Sequence, residues 1–263
     1  MQNCLLYFIS LQTTNSAMNS PLRFLLTVCL LCSTFSATAK AAVIYRETFG
    51  NTTGSNVALP AGGWTSTSNG GSGWRSSPNT GRATDLPNVS AGTTSSQSIG
   101  YLLNTTNTVS IIYTTEYVIA QTVIPDLATI SWYQGNNTPS ETRVIVQIGG
   151  SWYATTETFT NTAVASNANF GAEAEVQVFN WTTSASSWRA LTVSGSTETL
   201  GATLTESLPT GQITAFGLYF AATSSQRFDT FEIQTIPEPH LAALGGLGTL
   251  ILLIRRRRDS HLH

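Results

Sequence analysis

Between Ala42 and Ile236 the side chains able to do chemistry are carboxylates, arginines, hydroxyls, amides and aromatic rings. Acids at 47, 85, 116, 126, 141, 157, 173, 175, 198, 206, 229 and 232 stand against arginines at 46, 75, 82, 143, 189 and 227, a net charge of about −6. His240, His261 and His263 lie beyond this stretch and Lys40 lies before it. A serine nucleophile therefore has no nitrogen base, and a zinc site of the usual His/Cys kind has no ligands. An acidic stretch without lysine does not hold a phosphate backbone, so nucleic acid is excluded as a partner. One catalytic arrangement survives, a glycosidase pair of carboxylates about 5–9 Å apart across a cleft. None of the acids stands in a recognisable motif, and the expectation is a protein that is not an enzyme.

Two carboxylates have a more specific reading. Strand alternation puts Val43, Tyr45, Glu47 and Phe49 on one face of a first strand, and Asp229, Phe231 and Ile233 on one face of a last strand. Both acids then fall on faces that should be buried, where an unpaired charge is costly. If the two strands are neighbours, Glu47 and Asp229 can offer oxygens to a structural Ca²⁺, completed by carbonyls and waters. An ion pair with an arginine such as Arg227, or a bulge that turns the side chain outward, is the plainer reading.

Aromatics supply a second candidate. Trp132–Tyr133 and Trp152–Tyr153 are adjacent pairs, so in a strand one ring of each points inward and the other outward. An outward ring can stack on a sugar face, with Gln134, Asn136 or Asn137 adding hydrogen bonds. Core packing is the competing use of the same rings.

The elements that must carry these residues read as strands. Candidates are Val43–Phe49, Ile99–Leu103, Glu116–Ile124, Leu127–Tyr133, Arg143–Ile148, Glu175–Phe179, Trp188–Val193, Ile213–Phe220 and Arg227–Ile236, separated by Gly, Asn and Pro. No segment holds a 3.6-residue period, so an all-β, single antiparallel β-sandwich is expected over residues 42–236. Val144, Val146 and Ile148 share one face, as a half-buried antiparallel strand requires. Residues 50–98 are rich in Gly, Ser and Thr yet keep Trp64 and Trp74, which predicts a long loop region or loosely paired strands pinned at those rings. Cys4, Cys29 and Cys32 all precede Ala42, so no disulfide holds the domain and its own core must do so.

Both ends differ in kind from the middle. Arg23, an apolar run from Phe24 to Phe35 and the small residues around Ala39 and Ala41 read as a secretory signal peptide over 1–41, with Met18 as the expected true start. At the other end Pro237-Glu238-Pro239 precedes an apolar run over 240–254, then Arg255, Arg256, Arg257 and Arg258, and a short tail over 259–263. A helix from Pro237 to Ile254 would reach roughly 27 Å, slightly less than a ~30 Å hydrocarbon core. Four arginines do not cross a bilayer cheaply, which keeps them cytoplasmic and the domain outside. The prolines hold Glu238 extended, in a form a processing enzyme can grip. An ordinary tail anchor on a proline-rich stalk is the plainer reading.

Residues 237–258 as a composite resemble the PEP-CTERM sorting signal. The resemblance implies export, a membrane-embedded exosortase as partner, cleavage near Pro237–Pro239, and a place on the surface or in the exopolysaccharide matrix of a Gram-negative bacterium. At the level of pattern, Arg46–Phe49, Arg143–Tyr153 and Phe228–Ile233 resemble the jelly rolls of concanavalin-like and carbohydrate-binding modules. That implies a sandwich whose first and last strands are neighbours, with polysaccharide as a possible partner. The combined expectation is an exported structural or adhesive protein, with a glycan-binding module as the alternative and a glycoside hydrolase or lyase as the third reading.

Overall fold

In the computed structural model, the described residues are 42–50, 57–58, 64–67, 74–77, 89, 100–115, 127–222 and 225–235. The expected signal peptide, the strand expected at Glu116–Ile124, the Pro237–Pro239 motif and Arg255–Arg258 lie outside them. No helix among the described residues is long and apolar enough to cross a membrane.

Residues 41–236 form one compact unit, and the regular structure of its described residues is nearly all strand. These are β1 (Ala42–Glu47), β2 (Val57–Ala58), β3 (Trp64–Ser66), β4 (Arg75–Ser77), β5 (Tyr101–Asn104), β6 (Ser110–Thr114) and β7 (Leu127–Gln134). There follow β8 (Thr142–Ile148), β9 (Ser151–Thr155), β10 (Glu175–Asn180), β11 (Trp188–Ser194), β12 (Thr197–Thr203), β13 (Ile213–Phe220) and β14 (Gln226–Thr235). Among the described residues the one α-helical turn, α1, is Phe170–Glu173.

The strands make two antiparallel sheets. One has the order β10-β7-β14-β5-β4-β2, with β1 also on β14; the other runs β12-β11-β9-β8-β13-β6-β3. Alternate residues of both sheets meet in one core. Tyr45, Leu102, Ile130, Trp132, Phe228, Phe231 and Ile233 come from the first sheet; Ile112, Val144, Val146, Phe216, Leu218 and Phe220 come from the second. Trp64 and Trp74 are buried in that core and pin residues of the glycine-rich stretch, the Trp64 indole donating to the Tyr45 hydroxyl (2.8 Å) and the Trp74 indole to Ser110 (3.1 Å). These rings meet Phe49, Phe220 and Phe228 edge-on or tilted at centroid distances of 4.8–5.9 Å, the packing aromatic quadrupoles favour.

β14 is the axis of the first sheet. Its Gln226–Phe228 half pairs with β5 and its Phe231–Thr235 half with β1, while β7 runs along its other side. Where the partner changes, β14 carries a bulge: on the β7 side, three steps from Asp229 to Glu232 face two steps from Tyr133 to Ser131. Thr230 absorbs the extra residue in the left-handed region (φ 50°), an unusual conformation for a β-branched side chain.

The outer face of the first sheet is also covered. Residues 161–174 lie across it and bury Val164, Phe170 and Ala174 against Tyr101, Leu103 and Tyr133. Phe170 stacks on Tyr101 at 4.4 Å and sits so close over Gly135 that a Cβ there would lie 2.8 Å from the ring. Arg227, only 2% exposed, ties this layer down. Its guanidinium donates to the Asn167 amide oxygen (2.7 Å) and to the carbonyls of Gly135 (3.0 Å) and Val164 (3.3 Å). Burial pulls its pKa below the usual arginine range, an effect that the neighbouring Tyr101 opposes.

Replacing Arg227 by Met keeps the apolar stem but strands three oxygen acceptors. The expected cost is about 3 kcal/mol in denaturant unfolding, with amide exchange accelerating first over 161–174. A loss below about 1 kcal/mol would show that this cation does not hold the layer.

Candidate functional site

The second sheet curls strongly. Thr67, just after β3 on one edge, donates its hydroxyl to the Glu198 carboxylate of β12 on the opposite edge. The concave outer face so formed is filled by Ile111, Ile145, Ala154, Leu191 and Tyr219, with Val109, Tyr113, Trp152, Val193 and Leu200 partly buried around them. Burial raises the Glu198 carboxyl above its ordinary value, and the hydrogen bond from Thr67 offsets part of that. Burial likewise raises the Tyr219 hydroxyl, with Arg143 pulling the other way.

Within this face one aromatic pair keeps part of its surface in solvent. Trp152 and Tyr113 meet edge to face with ring centroids 4.8 Å apart. Their strands, β9 and β6, are separated by β8 and β13, which in a flat sheet would put the backbones roughly 14 Å apart. Curvature brings the rings together, and so does Gly217 of β13, the register partner of Tyr113. A Cβ on Gly217 would lie 2.0 Å from the Ile112 carbonyl oxygen and 2.6 Å from the Tyr113 Cα, so this position admits no side chain. Gln147, opposite Trp152 in β8, accepts from the Thr214 hydroxyl (2.7 Å) and donates to the Gly150 carbonyl (3.4 Å) beside the rings.

The inward/outward division of the aromatic pairs holds in both. Trp132 faces the intersheet core and Tyr133 the outer layer; Tyr153 packs toward the core and Trp152 lies on the concave face. The structure corrects the sugar-contact assignment of Trp132. Its ring is fully buried, edge-on to Phe159 at 4.9 Å, and its indole donates to Gln134. Tyr133 and Tyr153 are also committed to packing. Two of the three expected amides, Gln134 and Asn136, are also engaged within the protein, whereas the buried Asn137 side-chain oxygen has no partner among the described residues. Gln134 also donates to Asn161 (3.1 Å); Asn136 accepts from the Arg227 main-chain N–H (3.1 Å) and donates to Ser140 (2.9 Å).

Glu47 and Asp229 lie where the first and last strands meet, and those strands are neighbours as expected. The bulge at Thr230 corrects the expected face of Asp229. Phe228, Phe231 and Ile233 face the core, and Asp229 takes the opposite side, in register with Tyr133. A second bulge between Val43 and Tyr45 lets Ile44 pack on the core beside Tyr45, so strict alternation fails there too. Each carboxylate clamps a left-handed residue. Glu47 accepts the N–H of Phe49 (φ 50°) at 2.6 Å, and Asp229 the N–H of Thr230 at 2.7 Å. Among the described residues no group of three His, Cys, Asp or Glu gathers as a metal site would require.

No protein-family model and no curated relative matches the chain. Among solved structures it is similar to the CBM22-1 xylan-binding domain of Paenibacillus barcinonensis Xyn10C, at 14% identity and a TM-score of 0.37, over 75% of this chain and 97% of that one. So distant a likeness transfers no site.

Proposed function

We propose that this chain is an exported, non-enzymatic protein of the cell surface or exopolysaccharide matrix of a Gram-negative bacterium. Its β-sandwich, of the jelly-roll kind, is the cargo, and the two ends are its delivery signals. The observation that carries the reading is the composite tail: Pro237-Glu238-Pro239, the apolar run over 240–254 and Arg255–Arg258, starting where the compact β unit ends at Ile236. In this reading an exosortase-type enzyme is the processing partner, and the membrane holds the precursor before cleavage. The lack of histidine, lysine and cysteine between 42 and 236 supports a structural or adhesive role over catalysis.

Mass spectrometry of surface-fraction protein should find a C-terminus at or near Pro237–Pro239, with Arg255–His263 absent. Intact polypeptide soluble inside the cell, with both apolar ends uncut, would overturn the reading.

A glycan-binding role is the second reading, favoured by the partly exposed Tyr113–Trp152 pair on the concave face. Rings in that position can stack on sugars with Gln147 alongside. In polysaccharide pull-downs Trp152→Ala should lose at least about tenfold in binding while still folding, a loss on the scale of one stacking contact. Trp132→Ala should instead cost about 3–5 kcal/mol of stability. Undiminished binding by folded Trp152→Ala would remove this face as the site.

A structural Ca²⁺ at Asp229 is a subsidiary proposal; Glu47, opposite Phe231 on the core side of β1, lies on the other face of the sheet and would not share the ion. An ion at Asp229 is supported by the buried Thr230 hydroxyl next to it, which has no hydrogen-bond partner among the described residues; carboxylate and hydroxyl oxygens are donors this cation prefers. Chelator should then lower the melting temperature by about 5 °C, and added Ca²⁺ should restore it. A melting temperature indifferent to both removes the ion.

A further inference from the structure

The first sheet ends on β10, which among the described residues pairs only with β7. Its outer face carries Val176 and Val178, 55% and 45% exposed, the large apolar side chains most open to solvent among the described residues. On the other face Phe179 is in the core, Gln177 donates to the Thr160 carbonyl (3.1 Å) and Glu175 accepts the Thr162 N–H (3.2 Å). The strand is thus held firmly from within while its valines stay open.

Exposed sheet edges are ordinarily blunted by lysine, proline, bulges or shortness. The other terminal strands follow that pattern: β2 has two residues, β3 has three, and the β11–β12 pair carries a register shift. β10 does not. It has six residues, no proline or lysine, and unbroken register with β7 from Glu175 to Asn180.

We propose that β10 is a homotypic interface at which two copies of this chain pair antiparallel, joining their sheets edge to edge. The register follows from the side chains. A two-fold axis perpendicular to the sheet keeps outer faces together only if it passes through a pair of identical residues, because an axis between residues would set Val176 against the core-facing Phe179. An axis through Val178 leaves Val176 opposite Asn180. An axis through Gln177 sets Val176 of each copy opposite Val178 of the other, closing four valines into one apolar patch, as isologous contacts require. Charge agrees, since Glu175 falls opposite Phe179 and the two Glu175 side chains stand about 14 Å apart along the ladder, beyond the ~8 Å screening length at physiological salt. An edge contact this small belongs to the weak, transient class of interfaces.

The test is sedimentation of the full-length chain in detergent micelles at about 100 µM, with near-ultraviolet circular dichroism as the control for folding. The parent should be dimeric. V176K/V178K, which sets lysine against lysine, should raise the dissociation constant at least about 100-fold. V176K/V178E sets each new lysine opposite the other copy's new glutamate, and dimer should return. A monomeric parent, a V176K/V178K variant that stays dimeric, or a folded V176K/V178E variant that stays monomeric would each overturn the interface or its register.

Discussion

The structure depends on β14 being buried along nearly its whole length while changing neighbours halfway. A strand that gives one side to β7 and divides the other between β5 and β1 must reconcile two registers. It does so by placing Thr230 in a left-handed bulge at the junction. The extra residue reverses which side of the sheet each later side chain occupies, so that Phe228 and Phe231, three apart, both enter the core. Without that shift Phe231 and Ile233 would leave the intersheet core for the outer layer.

Left-handed backbone at Phe49 and Thr230 costs on the order of 1–3 kcal/mol each, and two acids beside these positions offset part of it. The hydrogen bonds from the N–H groups of Phe49 and Thr230 to the carboxylates of Glu47 and Asp229 are charge-assisted and largely shielded from water, where such bonds are strong. Arg227 works similarly one layer outward, satisfying oxygens that residues 135, 164 and 167 would otherwise bury unpaired. Nearby, Arg46 and Glu232 pair at 2.6 Å between β1 and β14. These buried or half-buried charges sit where backbone irregularity or a packed loop requires a strong partner.

Strands whose apolar residues alternate, or form an unbroken buried run, were legible from the chain alone. Ile213–Phe220 has the expected bounds, and Thr142–Ile148 turns Val144, Val146 and Ile148 inward as alternation predicts. Less legible were β6, β9 and β12. β6 is buried on both faces and shows no alternation; β12 is polar along most of its length and becomes a strand only through its pairing with β11. The bulges were invisible for a related reason, since neither Ile44 nor Thr230 is a residue type that announces one. The candidate site was half legible. Adjacency placed Trp152 and Tyr153 on opposite faces, but the partnership with Tyr113 comes from curvature and from Gly217, neither of which local pattern encodes.

The two faces of the second sheet show how the domain uses its aromatics. Between the sheets Trp132 and Phe179 of the first sheet, Trp188 of the second and the loop residue Phe159 interlock edge to face and leave little ring surface to a ligand. On the concave side, Gly217 lets the backbone of β6 press against β13, and Tyr113 and Trp152 meet edge to face there while keeping part of their surface in solvent. A purely structural sheet would be better served there by a β-branched residue, which would pack the strand and lower the entropy cost of ordering it. The backbone of β6 approaches β13 so closely at this point that no such residue fits, and the partly open ring pair is its direct geometric consequence. Whatever the domain contacts through this face, its shape is set by one glycine and the curl of the sheet around it.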